Sequence, residues 1–595
     1  MKKLFSVWIR TLYTSDINQD LTRIFSGSTM PKRTKVRAAP GPGAKKVKPN
    51  PAPFSITNDF QFSPVPELMR TATVLQTPEK ASTDKKEYRA IRLKNGLTVL
   101  LISDCTYPLD KLDEEEALLA AKEETAAKGE LDDEEEVSLI FKQCWLKAFS
   151  CLVWIAQIYG GIAEGHPMSK FMWGNTKSLS PEGMTDAEMS KRLHSFRDRH
   201  YSAQYMTLAV QSQHSLDTMQ EWVEQIYSLI PNNGLELESF KHLDKPFLNP
   251  RYNKLYRIRP TQDIYQIDLT WSLPSTLDRY RSKPLHYLSW IIGHEGKGSL
   301  LSFLRLSPQE PNSRIFKEIQ EIERLDYMYK EEKQPCDNVE TLCENMQFFP
   351  AERFLDGDDL LFEFDPDFIK QCTDALVVES VNIFVKTCDI SESELDQVEP
   401  WFNTKYSESE IPSAWILACK DHVYSSEFHL PEPNLFIAED LSIRSADIEG
   451  SMYPVRLVED ELGELFYKKD ESFLQPRAYI QYHIRSHLQL QCLENSIMLD
   501  LLANCVLQLM VEDVYPADLA QLNFSLYASE TGLVIKVSGL SDKLPRLMET
   551  ILKHLTAMSD TIQESLFNAV LEQQRKNYYN HSIKPSKLVR DVRLI

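Results

Sequence analysis

Residues 86–104, KEYRAIRLKNGLTVLLISD, begin with alternating polar and apolar positions, and the apolar run TVLLI follows the pair Asn95 and Gly96. A period of two is typical of a β-strand, and Asn-Gly favours the tight turn that joins two antiparallel strands. The pattern therefore predicts a β-hairpin.

A helical period follows at Met189, Leu193 and Phe196, behind Thr185 and Glu188, which have the spacing of a capping box. The strand-like stretch YMTLAVQS comes next and leads into a second helical pattern that ends at PNNG. The apolar positions of this second helix are Met219, Trp222, Val223, Ile226, Leu229 and Ile230.

A similar strand-then-helix unit recurs near the carboxyl end as GLVIKVSGLSDKLPRLMETILKHL. The apolar positions of its helix are Leu544, Leu547, Met548, Ile551, Leu552 and Leu555. Two similar units so far apart in the chain suggest duplicated domains. We therefore predict an α+β fold of repeated α/β domains, in which mixed sheets pack with helices.

The segments between these units carry further patterns. YQIDLTWSLP predicts a strand, SKPLHYLSWIIGHEGKGSLLSFLR predicts two helices broken at the glycines, and SRIFKEIQEIERLDYMY predicts an amphipathic helix. LPEPNLF, residues 430–436, has the composition of a linker, and the strand patterns ELFYKKD and AYIQYHIRS follow it. The stretch from Ile497 to Val514 is apolar almost all round, which predicts a helix inside a core.

The formal net charge is −21 over 595 residues. Nucleic-acid binding needs clustered Lys and Arg, so this charge argues against a nucleic-acid partner and favours basic peptides or proteins. Thirteen acidic residues and three lysines lie between Asp110 and Glu136, within an acidic insertion at 109–136. Such a run is typical of a solvated, self-repelling loop. The predicted partner-binding residues are Asp113, Glu114, Glu115, Glu116, Asp132, Asp133, Glu134, Glu135 and Glu136.

Cellular location is addressed by three features of the chain. The ten cysteines include no C-x-x-C pair, which indicates reduced thiols inside a cell. The longest uncharged apolar stretch, 148–163, is shorter than the roughly 20 residues of a membrane span, so no span is predicted. Residues 1–84 begin with a basic, acid-poor segment that fits either a disordered arm or a mitochondrial presequence. We expect a cytoplasmic protein, with mitochondrial targeting by this segment as the alternative.

None of the thirteen histidines stands in H-E-x-x-H or H-x-x-E-H, the arrangements that place two imidazoles and a carboxylate on one helical face. His286 with His294 and Glu295 is the nearest candidate, but a glycine interrupts the spacing and favours structural roles. The sequence also lacks G-x-S-x-G and a phosphate-binding P-loop. The residues alone therefore predict no catalytic and no metal-binding positions.

Several longer words resemble the insulin-degrading enzyme and pitrilysin family, from about residue 86 onward. They are RLKNGLTVLLISD, GHPMSKFMWGN, YMTLAVQS, IPNNGL, KPLHYLSWIIGHEGKGSLLSFLR, LCENMQFFP, HLPEPN, AYIQYHIRS and IKPSKLVRDVRLI. The resemblance implies a zinc endopeptidase of four similar α/β domains in two halves around a chamber. The acidic run lies where one branch of the family, which cleaves dibasic sites on the N-terminal side of Arg, carries an acidic insertion.

The chain departs from this family where the chemistry would lie. In the family the first domain supplies H-x-x-E-H and a further glutamate, but here VSLIFKQCWLKAFSCLVWIAQIYGGIAE follows the acidic run, and the resemblance resumes at Gly165. Zinc is thus the cofactor of the family, and none is expected in this chain. A second omission follows LLSFLR. Clean joins on both sides favour exon skipping or an inaccurate gene model over gradual loss.

The resemblance implies a domain organisation with an incomplete first half. We predict a basic arm at 1–84, a first domain at 85–250 without its zinc motif, a shortened second domain at 251–430 and a truncated third domain at 431–595. The fourth domain is expected to be absent. Three functions remain open: the peptidase activity of the family, a non-catalytic binding protein for basic peptides or proteins, and an incomplete product without a stable fold.

Overall fold

The computed structural model describes residues 6–12, 72–105, 183–237, 252–260, 265–296, 311–399, 403–420, 429–443, 450–471, 474–487 and 489–583. The chain divides into two compact units. The first unit comprises 1–280, 331–358 and 375–417, and the second comprises 281–330, 359–374 and 418–595. Each unit is therefore built from segments that are distant in the sequence.

The helices of the described residues are α1 (Asp186–His200), α2 (Leu216–Tyr227), α3 (Pro284–Ile292), α4 (Ser313–Met328), α5 (Pro335–Phe348), α6 (Pro366–Asp374), α7 (Ser413–Lys420), α8 (Leu493–Leu519), α9 (Leu544–Thr561) and α10 (Glu564–Ile583). The strands are β1 (Ser6–Leu12), β2 (Thr73–Val74), β3 (Glu87–Arg92), β4 (Thr98–Ser103), β5 (Thr207–Ser212), β6 (Lys254–Ile258), β7 (Tyr265–Ser272), β8 (Val381–Thr387), β9 (Gln397–Val398), β10 (Lys405–Glu410), β11 (Val455–Glu459), β12 (Glu464–Tyr467), β13 (Arg477–Arg485), β14 (Asn523–Ser529) and β15 (Gly532–Leu540).

The first unit contains a four-stranded sheet in the order β2-β3-β4-β5. The predicted hairpin is confirmed, because β3 and β4 pair antiparallel and β4 then pairs in parallel with β5. Gly96 has a φ of +89°, and its amide donates to the carbonyl of Leu93 at 2.9 Å. A side chain at this left-handed position is disfavoured, and a Cβ would also lie only 2.8 Å from Cβ of Gln204.

Helices cover both faces of this sheet, because the strands alternate their apolar side chains between the two faces. Ile91, Val99 and Leu101 pack in one core with Met219 and Val223 of α2. The opposite core contains Ala90, Leu100 and Ile102 together with Leu342, Met346, Phe354 and Leu355. The α5 helix, which carries Leu342 and Met346, thus buries the second face of the sheet.

The second sheet of the first unit has six strands in the order β1-β7-β8-β6-β10-β9 and mixes parallel with antiparallel pairs. Tyr256 of β6 stacks on Phe384 of β8 with ring centroids 5.0 Å apart. An ion pair lies in the sheet interior, where Lys386 Nζ is 2.7 Å from Asp268 Oδ2. The mixed sheets confirm the predicted α+β class.

The second unit is built around the antiparallel sheet β13-β15-β14. Its core unites Ile535 and Val537 of β15 with apolar residues of α8 and α9, which lie on one face of the sheet. The residues that the two helices contribute are Ala503, Val506, Met510, Val514, Ala517, Leu544, Leu547, Met548 and Ile551. The predicted strand-then-helix unit at β15 and α9 is thereby confirmed.

The segment 430–436 is not a free linker, so that prediction is wrong. Phe436 is 7% exposed and belongs to the core of the second unit. Arg314 donates to the carbonyl of Pro431, and Asn434 Nδ2 donates to the carbonyl of Pro516 at 2.8 Å. The turn residues suggested a linker, but apolar burial and these hydrogen bonds fix the segment to the core.

The prediction of disorder across 1–84 is wrong for its last part. β2 pairs with β3, Leu75 N donates to the carbonyl of Ala90 at 2.8 Å, and Glu79 lies 2.7 Å from Arg353. Backbone pairing to a sheet edge orders this polar segment without much apolar burial of its own. Residues 6–12 also pair as a strand, β1, with β7.

The burial of two predicted helices departs in part from their sequence patterns. Thr185 caps α1 as predicted by accepting from the amide of Glu188 at 3.2 Å, but Leu193 and Phe196 are 61% and 58% exposed. The α8 helix buries two opposite sides, because Ala503 and Val506 pack in the core of the second unit and Leu501 and Cys505 pack with Val570 of α10. Ile497 and Met498 near its start are 38% and 53% exposed. Across the described residues, no helix combines the length and the apolar content that a bilayer span requires.

Candidate functional site

The carboxyl ends of β4 and β5 lie side by side, because the two strands pair in parallel as far as Ser103 and Ser212. The carboxyl ends of parallel strands are where open α/β sheets commonly place ligand sites. Asp104 follows β4 directly and is only 3% exposed. In the sequence, Asp104 is followed closely by the acidic insertion at 109–136.

A polar network joins the side chains at this edge. Gln211 Nε2 donates to Asp104 Oδ2 at 2.9 Å, and Asn338 Nδ2 of α5 donates to Gln211 Oε1 at 2.8 Å. The backbone continues the network, since Asp104 N donates to the carbonyl of Ser212 at 2.9 Å. Ser212 Oγ in turn lies 2.8 Å from His214 Nδ1. These groups hydrogen-bond to one another.

The network does not fit a zinc ion. Catalytic zinc is held by three protein ligands from His, Cys, Asp or Glu, with a water at the fourth position. Asp104 and His214 are the network's acid and imidazole, and each is engaged by a neighbouring side chain. Among the residues that the structure describes, no group of three such side chains could hold a metal ion. The described residues of this edge therefore supply no ligand set for a zinc ion.

The candidate histidines of the second unit are held in separate environments. His286 Nε2 lies 3.0 Å from Glu323 Oε1, so it forms a surface pair between α3 and α4. His294 is 7% exposed, and its Nδ1 accepts from the amide of Gly296 at 3.1 Å. Burial lowers the pKa of His294 to about 4. A neutral, packed imidazole and an exposed imidazole–carboxylate contact do not form one site.

Two further histidines also have local partners. His483 lies on β13, with Nε2 2.9 Å from Thr531 Oγ1, and His200 packs on Phe196 at a ring distance of 4.5 Å. All eight described cysteines are free thiols. Burial raises the pKa of Cys372 to about 11, which keeps that thiol protonated. These groups contribute packing and hydrogen bonds.

The predicted partner-binding acids lie outside the described residues, which omit 106–182. Asp113 to Glu116 and Asp132 to Glu136 therefore stay sequence predictions. The network that the sequence did not reveal is Asp104, Gln211 and Asn338. Asp104 could have been noticed because an acid that ends an apolar strand at a ligand edge is unusual. Asn338 gave no signal, since its helix is brought there by tertiary packing.

Comparison with protein families gives two matches that together run from residue 190 to 595. The model for the peptidase M16 inactive domain matches residues 190–328, and the model for the middle or third domain of peptidase M16 matches residues 327–595. The chain belongs to the peptidase M16 family. The M16 resemblance seen in the sequence is thereby confirmed, while the predicted boundaries at 84, 250 and 430 stay predictions.

Individual M16 relatives agree with this placement. Nardilysin of Rattus norvegicus is 38% identical over 494 residues, which cover 74% of this chain and 42% of the relative. The nardilysin-like protein of Arabidopsis thaliana is 28% identical, covering 71% of this chain and 46% of the relative. Insulin-degrading enzyme of Bos taurus is 26% identical, covering 70% and 45%. The chain thus spans less than half the length of these curated relatives.

The fold of the M16 chain is that of pitrilysin. The crystal structure of pitrilysin superposes with a TM-score of 0.65 at 17% identity, and the match covers 86% of this chain and 66% of that one. This likeness extends across the greater part of the chain. It supports the predicted architecture of mixed sheets packed with helices.

Proposed function

We propose that this M16 chain is a nardilysin-like protein that binds basic peptides but does not cleave them in its 595-residue form. One observation carries the proposal: none of the thirteen histidines stands in H-x-x-E-H or H-E-x-x-H. The lineage is one of metallopeptidases, as the M16 matches indicate. The peptidase chemistry of the family is therefore not assigned to this chain.

The reason for inactivity lies in the chemistry of peptide hydrolysis. Zinc lowers the pKa of its bound water to about 7 and so supplies the nucleophile at neutral pH. In the family a glutamate of the motif takes the proton of that water. Without the two motif histidines and the glutamate, the chain holds neither the metal nor the base. Cleavage at dibasic sites, on the N-terminal side of Arg, is then expected of longer relatives and not of this chain.

Peptide binding is the function that survives this loss. The acidic insertion at 109–136 places thirteen carboxylates in one short run, which attracts Lys and Arg side chains over a Debye length of about 8 to 10 Å at physiological salt. A net charge of −21 adds to the attraction. The relatives named nardilysin and insulin-degrading enzyme support a peptide or protein as the ligand.

A cleavage assay tests the first half of the proposal. The purified chain is incubated with a fluorogenic peptide that contains Arg-Lys, with and without the chelator 1,10-phenanthroline, and the products are analysed by mass spectrometry. We expect equal, background fluorescence in both samples. Chelator-sensitive cleavage before Arg would establish the peptidase alternative instead.

A binding assay with matched variants tests the second half. The anisotropy of a dye-labelled basic peptide is measured with the wild type and with the triple variant Glu134→Gln, Glu135→Gln and Glu136→Gln. We expect this variant to bind the peptide more weakly than the wild type does. We also expect wild-type binding to weaken as the salt concentration rises from about 0.1 M to about 1 M, because the Debye length falls from about 10 Å to about 3 Å.

The control for this assay removes the same charge elsewhere. Glu459→Gln, Asp460→Asn and Glu461→Gln change exposed acids at the end of β11 and in the turn that follows it. Net charge alone would weaken binding equally in both triple variants. A loss confined to the variant in the acidic insertion supports that insertion as the peptide site, whereas equal losses would contradict it.

A further inference from the structure

The tetrapeptide Ser-Glu-Ser-Glu occurs twice in the chain, at 391–394 and at 407–410. The first copy lies in the turn between β8 and β9, and the second copy lies in β10. Both copies belong to the first unit. Because the four residues are the same in both, the two copies show what the surrounding structure allows this sequence to do.

The serines of the first copy face solvent in a short turn. Ser391 and Ser393 are exposed, and their Oγ atoms lie 2.8 Å apart. Within the turn, the amide of Glu394 donates to the carbonyl of Ser391 at 3.0 Å. Arg259 Nη1 also donates to the carbonyl of Ile390 at 2.7 Å, just before the first serine. Since an exposed turn opens at a low cost in free energy, this segment can extend into the groove of a partner.

The acids that follow these serines differ in their pairing. Glu392 forms an ion pair with Lys405. Glu394 and Asp396 are exposed, and they lie three residues after the first and the second serine. Among the described residues, no cation pairs with either of these two acids. Their carboxylates are therefore available to the cations of a partner that binds the turn.

The second copy is held in a sheet. The β10 strand pairs antiparallel with β6 along the whole of this copy. Ser407 is half-buried, and the acid three residues after it, Glu410, forms an ion pair with Lys254. The residue three positions after Ser409 is Pro412, which carries no charge. A partner that draws this copy into a groove would have to break the ladder and the ion pair.

We propose that Ser391 and Ser393 are phosphorylation sites for a serine/threonine protein kinase that recognises acidic residues on the C-terminal side of its target. The Oγ of one serine attacks the γ-phosphorus of ATP, and its proton passes to the catalytic Asp of the kinase. The bond from the γ-phosphorus to the bridging oxygen breaks, and ADP leaves. The product carries about −1.5 to −2 additional charge at neutral pH. This site is separate from the acidic insertion and does not depend on the peptide binding proposed above.

The test uses casein kinase 2, an acid-directed kinase, on the purified full chain. The chain is incubated with the kinase and ATP, and the phosphopeptides are quantified over time by mass spectrometry. We expect Ser391 or Ser393 to be labelled at least about tenfold faster than Ser407, because the ladder of β10 must open before the kinase can bind it. Equal rates at the two copies, or no phosphate on the first copy, would overturn the proposal.

Two double variants separate recognition of the acids from simple exposure of the serines. Glu394→Gln with Asp396→Asn keeps both hydroxyls and should slow labelling of the turn about tenfold, because the charge-assisted contacts with the kinase are lost. Glu459→Gln with Glu461→Gln removes two exposed acids elsewhere and should leave the rate unchanged. If the first variant is labelled as fast as the wild type, the acids do not direct the kinase and the proposal is wrong.

Discussion

His294 and Tyr515 meet edge to face in the second unit, with ring centroids 4.9 Å apart and ring planes at 81°. Trp290, one turn earlier on α3, lies 5.2 Å from the same imidazole. The hydroxyl of Tyr515 donates to the carbonyl of Gly293 at 3.2 Å. This contact joins α3 to α8 through a histidine that burial keeps neutral, with its pKa lowered to about 4.

The buried histidine should make stability depend on pH. Above its ordinary pKa of 6.5, the imidazole is neutral in both the folded and the unfolded chain. As the pH falls from 6.5 to about 4, only the unfolded chain takes up a proton, so stability is lost across that window. We expect a loss of about 1–3 kcal/mol, because one pKa unit corresponds to about 1.4 kcal/mol.

The measurement is urea unfolding at several pH values for the wild type and His294→Phe, which keeps an aromatic ring against Tyr515. The variant should lose less stability than the wild type between pH 6.5 and about 4. His487→Phe changes an exposed histidine and serves as the control. If the unfolding free energy of His294→Phe depends on pH as steeply as that of the wild type, His294 is not the source of the pH dependence.

The interior ion pair of the first unit should be costly to break. Lys386 and Asp268 are each 6% exposed at the side chain and lie 2.7 Å apart. Lys386→Met leaves the carboxylate buried without its cation, and we expect a loss of about 3–5 kcal/mol. Adding Asp268→Leu removes the uncompensated charge and should recover most of that stability.

Chemical denaturation of the single and double variants checks this prediction. The control is Lys553→Met, which breaks an exposed pair with Glu549 at 2.8 Å and should cost less than about 1 kcal/mol. If Lys386→Met lowers the free energy of unfolding no more than Lys553→Met does, the burial of the interior pair does not make it more costly to break than an exposed pair.

The core of the second unit should depend on a helix that is far away in the sequence. Leu325 of α4 is 5% exposed and belongs to the same core as Val506 and Val537. Leu325→Ala should destabilise this core by about 2–5 kcal/mol, the usual cost of a large-to-small change in a packed interior. Hydrogen exchange of the β15 amides measures the loss.

Leu462→Ala is the matched control, because Leu462 is 98% exposed and its truncation should change stability by less than about 0.5 kcal/mol. Unchanged exchange of β15 in Leu325→Ala would mean that residues 431–595 fold without α4. That result would favour the domain boundary at 430 that the sequence suggested.

Local patterns predicted much of this fold. The Asn95-Gly96 hairpin, the capped start of α1 and the spacing of α9 all follow from short-range rules, and the structure has them. Interactions between distant segments were not predictable. Phe436 lies in a proline-containing stretch that resembles a linker, yet it is buried by residues from α8, α9 and the sheet. The composition of a segment indicates where turns form, but it does not indicate which distant residues its side chains will contact.

The candidate site shows the same division. The lack of the zinc motif could be established from the sequence alone, because both motif forms have fixed spacing. The network of Asp104, Gln211 and Asn338 could not, since it depends on the parallel pairing of β4 with β5 and on the docking of α5.

Metal content tests the central claim most directly. The purified 595-residue chain is saturated with zinc, dialysed against metal-free buffer and analysed by inductively coupled plasma mass spectrometry, alongside a full-length nardilysin treated in the same way. Because the side chains that would hold the ion are missing, we predict far less than one zinc per chain, in contrast to the reference. One tightly bound zinc per chain, removed only by a chelator, would contradict the account.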